Sequence, residues 1–163
     1  MSHDSQVSTV EPLADCPLEI GFSQWTVQEV ATLLYHIAVF EVDWLYVDIL
    51  GGDHDMDRRI HNSPPQITAV LPYPMMMEDW SYTPVEAESL ATHLERLSLI
   101  REAFLGVVGG MSLTDFRTLR PSDDDMATPE WVVEHLSQHE AEHRGQIWEA
   151  RVTAEARAAS QST

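Results

Sequence analysis

His135, His139 and His143 stand four residues apart in the stretch WVVEHLSQHEAEHRGQIW, from Trp131 to Trp148. On a helix with 3.6 residues per turn, each four-residue step drifts by only about 40°, so the three imidazoles share one stripe. Neighbouring histidines at i, i+4 can reach a single metal ion, as in the two-His helical zinc motifs. Neutral imidazole is a ligand for zinc, nickel, copper and iron alike. Two ligands from one helical turn need a third from another element, and an open position if the metal is to be catalytic. His36 is the best third candidate, and His93 also lies near an inward stripe, between Leu90 and Leu97. His54 and His61 fall in a loop, and His3 in the N-terminal arm. A single core-facing histidine is usually a satisfied structural residue. Three on one stripe with another on a facing helix are a different matter, because unpartnered polar rings are costly to bury.

The elements that would position these residues are helices. Thr26 and Glu29 form a T-x-x-E capping box, which predicts a helix start at Thr26. Leu33, Ile37, Phe40, Trp44 and Val47 then recur at helical spacing until Gly51 and Gly52 end the run. His36 falls on this stripe, with Glu29, Glu41, Asp43 and Asp48 mainly on the other faces. A second capping box, Thr83 to Glu86 with Pro84 at the first helical position, predicts the next helix. Its stripe is Leu90, Leu94, Leu97, Ile100, Phe104 and Val108, and Gly109-Gly110 ends it. A short Ser-initiated turn, SLTDFRTL, follows, and then an acidic loop. Thr128-Pro129-Glu130 opens the last helix, which is expected to run to about Ala158. The long connection over residues 53–82 contains Pro64, Pro65, Pro72 and Pro74, which exclude a regular central strand. A connection of that length is expected to be a lid or binding segment, or to hide a short helix. Met75, Met76 and Met77 within it read as soft packing. No alternating strand pattern is convincing, so the fold class is all-α, most simply a bundle.

At 163 residues the chain suits one domain with a single core. The expected boundaries are an N-terminal arm over 1–22, a helical domain over 23–158 and a polar tail over 159–163. Formal net charge is −18, from 27 acidic and 9 basic residues, and every basic residue is an arginine. A field of that sign repels phosphate backbones and anionic lipid, so neither nucleic acid nor a membrane is expected as a partner. The N-terminal stretch lacks the basic and apolar regions of a signal peptide, and charged residues interrupt every apolar run, so the expected location is cytoplasmic. Cys16 is the single cysteine, which excludes an internal disulfide framework and a Cys-based zinc site. It reads as a bystander.

Two segments carry a family resemblance. EHLSQHEAEHRGQI resembles the last-helix signature of the DinB-like (DinB/YfiT) superfamily, whose pattern ends in H-x-x-x-H-R-G-Q. The matching residues are His139, His143, Arg144, Gly145 and Gln146. LLYHIAVFEVDWLYVDILGG resembles that family's second motif through His36, Glu41, Trp44 and Gly51, and Trp131 after Thr128-Pro129 fits the lead-in to the last helix. The resemblance covers roughly residues 25 to 150. It implies an up-and-down four-helix bundle with a divalent metal, often zinc or nickel, held by His36, His139 and His143. His135 then becomes a core or pocket-wall neighbour. Here only about 25 residues precede the first motif and prolines interrupt them, so the N-terminal helix is expected to be short or irregular. A homodimer that covers the open face becomes attractive.

Characterised members of the family resemble thiol-dependent transferases that use low-molecular-weight thiols such as bacillithiol or mycothiol. A metal held by three histidines would deprotonate such a thiol, and an electrophile would occupy the apolar pocket. Arg144 is a candidate for pairing a thiol cofactor's carboxylate, against the simpler alternative of a salt bridge to Glu140 or to another helix. Gln146 is expected to hydrogen-bond near the site. Glu41 is a candidate general base or orienting partner, against a plain solvated position. Gly145 in mid-helix lowers helix stability by about 1 kcal/mol relative to Ala, so close helix or subunit packing should need its small size. Metal-dependent hydrolysis and a non-catalytic metal- or small-molecule-binding helical module are the alternatives.

Overall fold

The computed structural model describes residues 24–55, 59–122 and 126–161. Three long helices dominate it: α1 (Gln24–Asp43), α3 (Leu90–Gly109) and α5 (Pro129–Gln161). The shorter elements are α2 (Pro65–Thr68), α4 (Leu113–Phe116) and the two-residue strands β1 (Arg120–Pro121) and β2 (Met126–Ala127), which pair antiparallel. The expected N-terminal arm and first bundle helix fall on residues 1–23, outside the described residues.

α1 lies between α3 and α5 and packs against both. Residues succeed one another in the same direction along α1 and α3, with Glu41 against Arg101 and Leu45 and Ile49 clustering with Phe104. Along α5 the order is reversed, with His36 against His139 and Trp44 against His135 and Trp131. The connection over residues 50–89 carries the chain back so that α3 can start beside the beginning of α1. It is a folded segment, containing a 3-10 turn at Arg59–Asn62, α2 and a single bridge between Met76 and Tyr82.

The central position of α1 corrects the expected face assignment. Glu41, Asp43 and Asp48, placed on solvated faces by the periodicity, are all buried. A helix covered on most sides is apolar on most sides, and Tyr35, Ala38, Val39, Val42 and Leu45 are almost completely enclosed. For the same reason Glu29–Ile49 is long and apolar enough, by length and composition alone, to cross a bilayer, yet two thirds of that stretch is buried inside the protein. From Trp44 to Ile49 the helix widens to a π-helix, with the Leu50 amide donating to the Leu45 carbonyl at 3.0 Å. It ends at Gly51, in the left-handed region with φ 72°. At Gly52 a side chain could not fit, because its Cβ would lie 2.5 Å from the Tyr46 carbonyl oxygen.

Two predicted starts differ from the structure. α1 is already running at Gln24, so Thr26 lies inside it and is not its cap. α3 begins at Leu90, capped by Ser89, whose hydroxyl accepts from the Thr92 amide at 3.1 Å. The Thr83 hydroxyl donates instead to the Pro74 carbonyl, the Val85 amide donates to the Thr32 hydroxyl, and Ala87 has a positive φ that breaks any helix through it. The start at Thr128-Pro129 is as expected, with the Trp131 amide donating to the Thr128 hydroxyl, and so is the Ser112 cap on α4. α5 continues to Gln161, past the expected Ala158. Met75 is buried and Met76 packs on the core, but Met77 is exposed.

Candidate metal centre

His36 lies on α1 between Thr32 and the buried Val39, and its ring faces α5. Across the interface, one helical turn of α5 presents His139 and His143. The structure brings these three rings to one point. His36 Nε2 lies 3.0 Å from His139 Nε2, and His143 Nε2 lies 3.0 Å from the same atom. One ligand nitrogen from each residue falls within 4.8 Å of the others. His36 and His143 are buried and His139 is half-buried.

The proton count favours a cation here. His143 Nδ1 lies 2.8 Å from Oε1 of Gln146. An amide oxygen can only accept, so Nδ1 carries the proton and Nε2 turns its lone pair inward. His139 Nε2 has at most one proton for two neighbours, so at least one of the two 3.0 Å contacts is left without a hydrogen of its own. A metal ion accepting three lone pairs resolves that conflict. Burial, with the neighbouring His139 and His143 next in importance, holds His36 down to about 3 from its ordinary 6.5. Burial and then His143 hold His139 down to about 4. Both rings are therefore neutral at pH 7, the form that ligates metals. Gln146 supplies the outer hydrogen bond that fixes a ligand's tautomer and orientation. His36 Nδ1, by contrast, is buried without a hydrogen-bond partner among the described residues. Its ring is held by packing instead, with Phe40 at 4.3 Å and Tyr82 stacked at 4.0 Å between centroids.

His135 stays outside the triad and packs in a three-ring cluster with two indoles, 4.6 Å from Trp44 and 4.9 Å from Trp131, which are themselves 5.3 Å apart between centroids. His93 is wholly buried elsewhere. Its Nδ1 accepts from Arg96 at 3.0 Å, while Arg96 also pairs with Glu88 and donates to the Val70 carbonyl. His61 is exposed and His54 half-buried, neither in the triad.

The remaining candidates lie apart from the three rings. Glu41 is neither solvated nor beside the imidazoles: Arg101 donates to its carboxylate at 2.6 and 3.1 Å, and to Glu140 at 2.7 Å. Burial pushes the Glu41 carboxyl up, and the Arg101 hydrogen bond opposes that. Arg144 has no ion pair with Glu140, whose carboxylate is taken by Arg101; Arg144 lines a separate groove with Leu94, Leu97 and Arg101. A Cβ on Gly145 would meet nothing within 4 Å among the described residues, so no close approach there requires that glycine.

Tyr82 and Arg101 were not singled out in the sequence. Tyr82 lies in the proline-rich connection, where no periodicity reveals what a side chain faces. Arg101 lies seven residues after Leu94 on α3, but its two acidic partners are on other helices. Tyr82 and Gln146, each touching a triad ring, also line a cavity of about 470 Å³ between α1 and α5. A family model described as the DinB superfamily matches residues 21–147. No curated protein and no solved structure matches the chain.

Proposed function

The chain belongs to the DinB superfamily, and from that premise we propose that it is a divalent-metal-dependent thiol S-transferase, with zinc or nickel held by His36, His139 and His143. The convergence of three Nε2 atoms on one point carries the reading. When bound, the metal supplies Lewis acidity that lowers the pKa of a coordinated thiol toward neutrality. The chain's own residues do the rest. Gln146 holds His143 in the tautomer that offers Nε2. Phe40 and Tyr82 fix the His36 ring and keep water from its face. The adjoining cavity takes the substrates; at about 470 Å³ it has the size of a small-molecule site. In the transfer, sulfur bonds to an electrophilic carbon, the leaving group departs with the bonding pair, and the thiol proton passes to solvent.

The hydrolytic alternative needs a general base within reach of a metal-bound water. Glu41, the carboxylate nominated for it, is committed to Arg101, which weighs against that reading. We also propose a homodimer located in the cytoplasm.

Metal content of the purified chain, with His36→Ala and His139→Ala beside it, tests the centre. The wild type is expected to carry about one divalent ion per chain, and each variant to lose it; unchanged metal in both variants would refute the triad. A panel of bacillithiol, mycothiol and glutathione against electrophiles then tests the chemistry. Silence with every thiol despite bound metal would make the protein a non-catalytic metal-binding module.

A further inference from the structure

A second cavity, of about 550 Å³, lies in the connection and includes no residue of the triad. The thioethers of Met75, Met76 and Met77 and the rings of Pro72 and Pro74 make its walls apolar and polarisable. A prolyl nitrogen has no hydrogen to donate. The Tyr73 and Pro74 carbonyls are already engaged, accepting from the Tyr35 and Thr83 hydroxyls. Two residues stand out against this lining. Trp80 has a φ of 65°, a conformation disfavoured for a bulky side chain, and is 68% exposed. Neither its backbone nor its burial accounts for an indole there. The turn that carries it is held by other groups. The Ser81 amide and hydroxyl donate to the Asp79 carboxylate, and the Met77 amide donates to the Ser81 carbonyl. Glu78 supplies the one carboxylate of the lining, which contains no arginine among the described residues. Unlike Asp79, Glu78 makes no hydrogen bond or ion pair among the described residues.

We propose that this cavity binds a flat organic cation of the N-alkylated aromatic heterocycle class, stacked on Trp80 with Glu78 as its counter-ion. An indole face carries the negative end of the ring quadrupole and is the best aromatic partner for a cation. Thioethers make favourable contacts with aromatic rings and adapt to their outline. A fixed charge without N–H groups suits walls with few free acceptors, because a primary ammonium would be left with unpaired donors. The net charge of −18 draws cations toward the whole surface, and the cavity gives one class of them a place to stop. Its volume is that of a small-molecule site. Because the cavity shares no residue with the three-His centre, the inference stands whether or not that centre carries a metal or a thiol.

Equilibrium dialysis of the full chain tests it, with N-methylquinolinium, its neutral isostere 1-methylnaphthalene, and 1-naphthoate as probes. His61 also lines the cavity, so the measurements are made at pH 8, where imidazole is uncharged. The cation is expected to bind at least tenfold tighter than the isostere, and the naphthoate not at all. Glu78→Gln should bring the cation down to the affinity of the isostere. Trp80→Gly suits the left-handed backbone, so it should lower cation affinity at least tenfold with no fall in melting temperature. Glu102→Gln, at an exposed position of α3, should change nothing. Equal affinity for cation and isostere would overturn the assignment, as would unaltered cation binding in Glu78→Gln or Trp80→Gly. An equal loss in Glu102→Gln and Glu78→Gln would overturn it too, since the cation would then be following net charge alone. Lost binding with a lower melting temperature in Trp80→Gly would make Trp80 a structural residue and overturn its role as the platform.

Discussion

A histidine can be buried for two reasons in this molecule, and the surroundings tell them apart. His93 is buried as a structural group: a guanidinium donates to its Nδ1, and its Nε2 lies 3.4 Å from the Glu88 carboxylate. His36 and His139 meet only other imidazoles at Nε2. Both environments keep the ring neutral. Burial first, then Arg96, hold His93 down to about 4 from 6.5. The unfolded chain therefore takes up a proton between pH 6.5 and about 4 that the fold refuses. Stability from this source is fully present above pH 6.5 and is lost as pH falls toward 4. In metal-free protein His36 and His139 act in the same direction, and Glu41, raised by burial, acts in the opposite one. Urea midpoints are expected to drop from pH 7.5 to pH 5, and His93→Gln should shrink that drop; an unchanged pH slope would contradict the assignment. Spacing put His135, His139 and His143 on one stripe and made His36 the best partner from another helix, and the resemblance of the H-x-x-x-H-R-G-Q segment selected His139 and His143. Glu41 was not legible, because the burial that decides its role comes from α3 and α5, far along the chain.

At the scale of elements, capping patterns predicted helix starts only where the cap's hydroxyl had no better partner. Thr128 and Ser112 had none and cap their helices. Thr83 donates to Pro74 in the connection, so its T-P-x-E pattern opens nothing, and the start passes to Ser89. The π-helix at Trp44–Ile49 was invisible because an extra residue per turn leaves the local composition unchanged. Gly145 lends itself to a direct measurement. It lies inside α5 with open space where a Cβ would go. Gly145→Ala is expected to raise stability by about 0.5 to 1 kcal/mol through helix propensity. A loss, read as a lower melting temperature, would reveal a second copy of the chain packed closely against that turn.

At the scale of the whole molecule, the second half of the connection, from Val70 to Glu88, is tied to the bundle by side chains of α1 and α3. Tyr35 of α1 donates to the Tyr73 carbonyl at 2.6 Å and accepts from the Tyr73 amide at 3.0 Å. Arg96 of α3 reaches the Val70 carbonyl and takes Glu88 with two donors while lying over the Tyr35 ring. The connection in turn delivers Tyr82 to His36. Arg96→Met is expected to cost about 3 kcal/mol, since it leaves a largely buried carboxylate and a carbonyl without their donor. Hydrogen exchange over residues 70–89 should quicken in the variant. Unaltered stability and exchange would show that the connection is pinned by packing alone.

The enclosure of α1 has a consequence for how the protein is made. His36 precedes His139 by 103 positions, and synthesis adds about 5 to 20 residues per second. For several seconds, therefore, the chain presents its most apolar helix while neither long partner has been translated. During that interval the segment offers hydrophobic surface to whatever is nearby, and the metal-binding point does not exist. α3 covers one side of α1 first, and the arrival of α5 completes the cover and assembles the triad together.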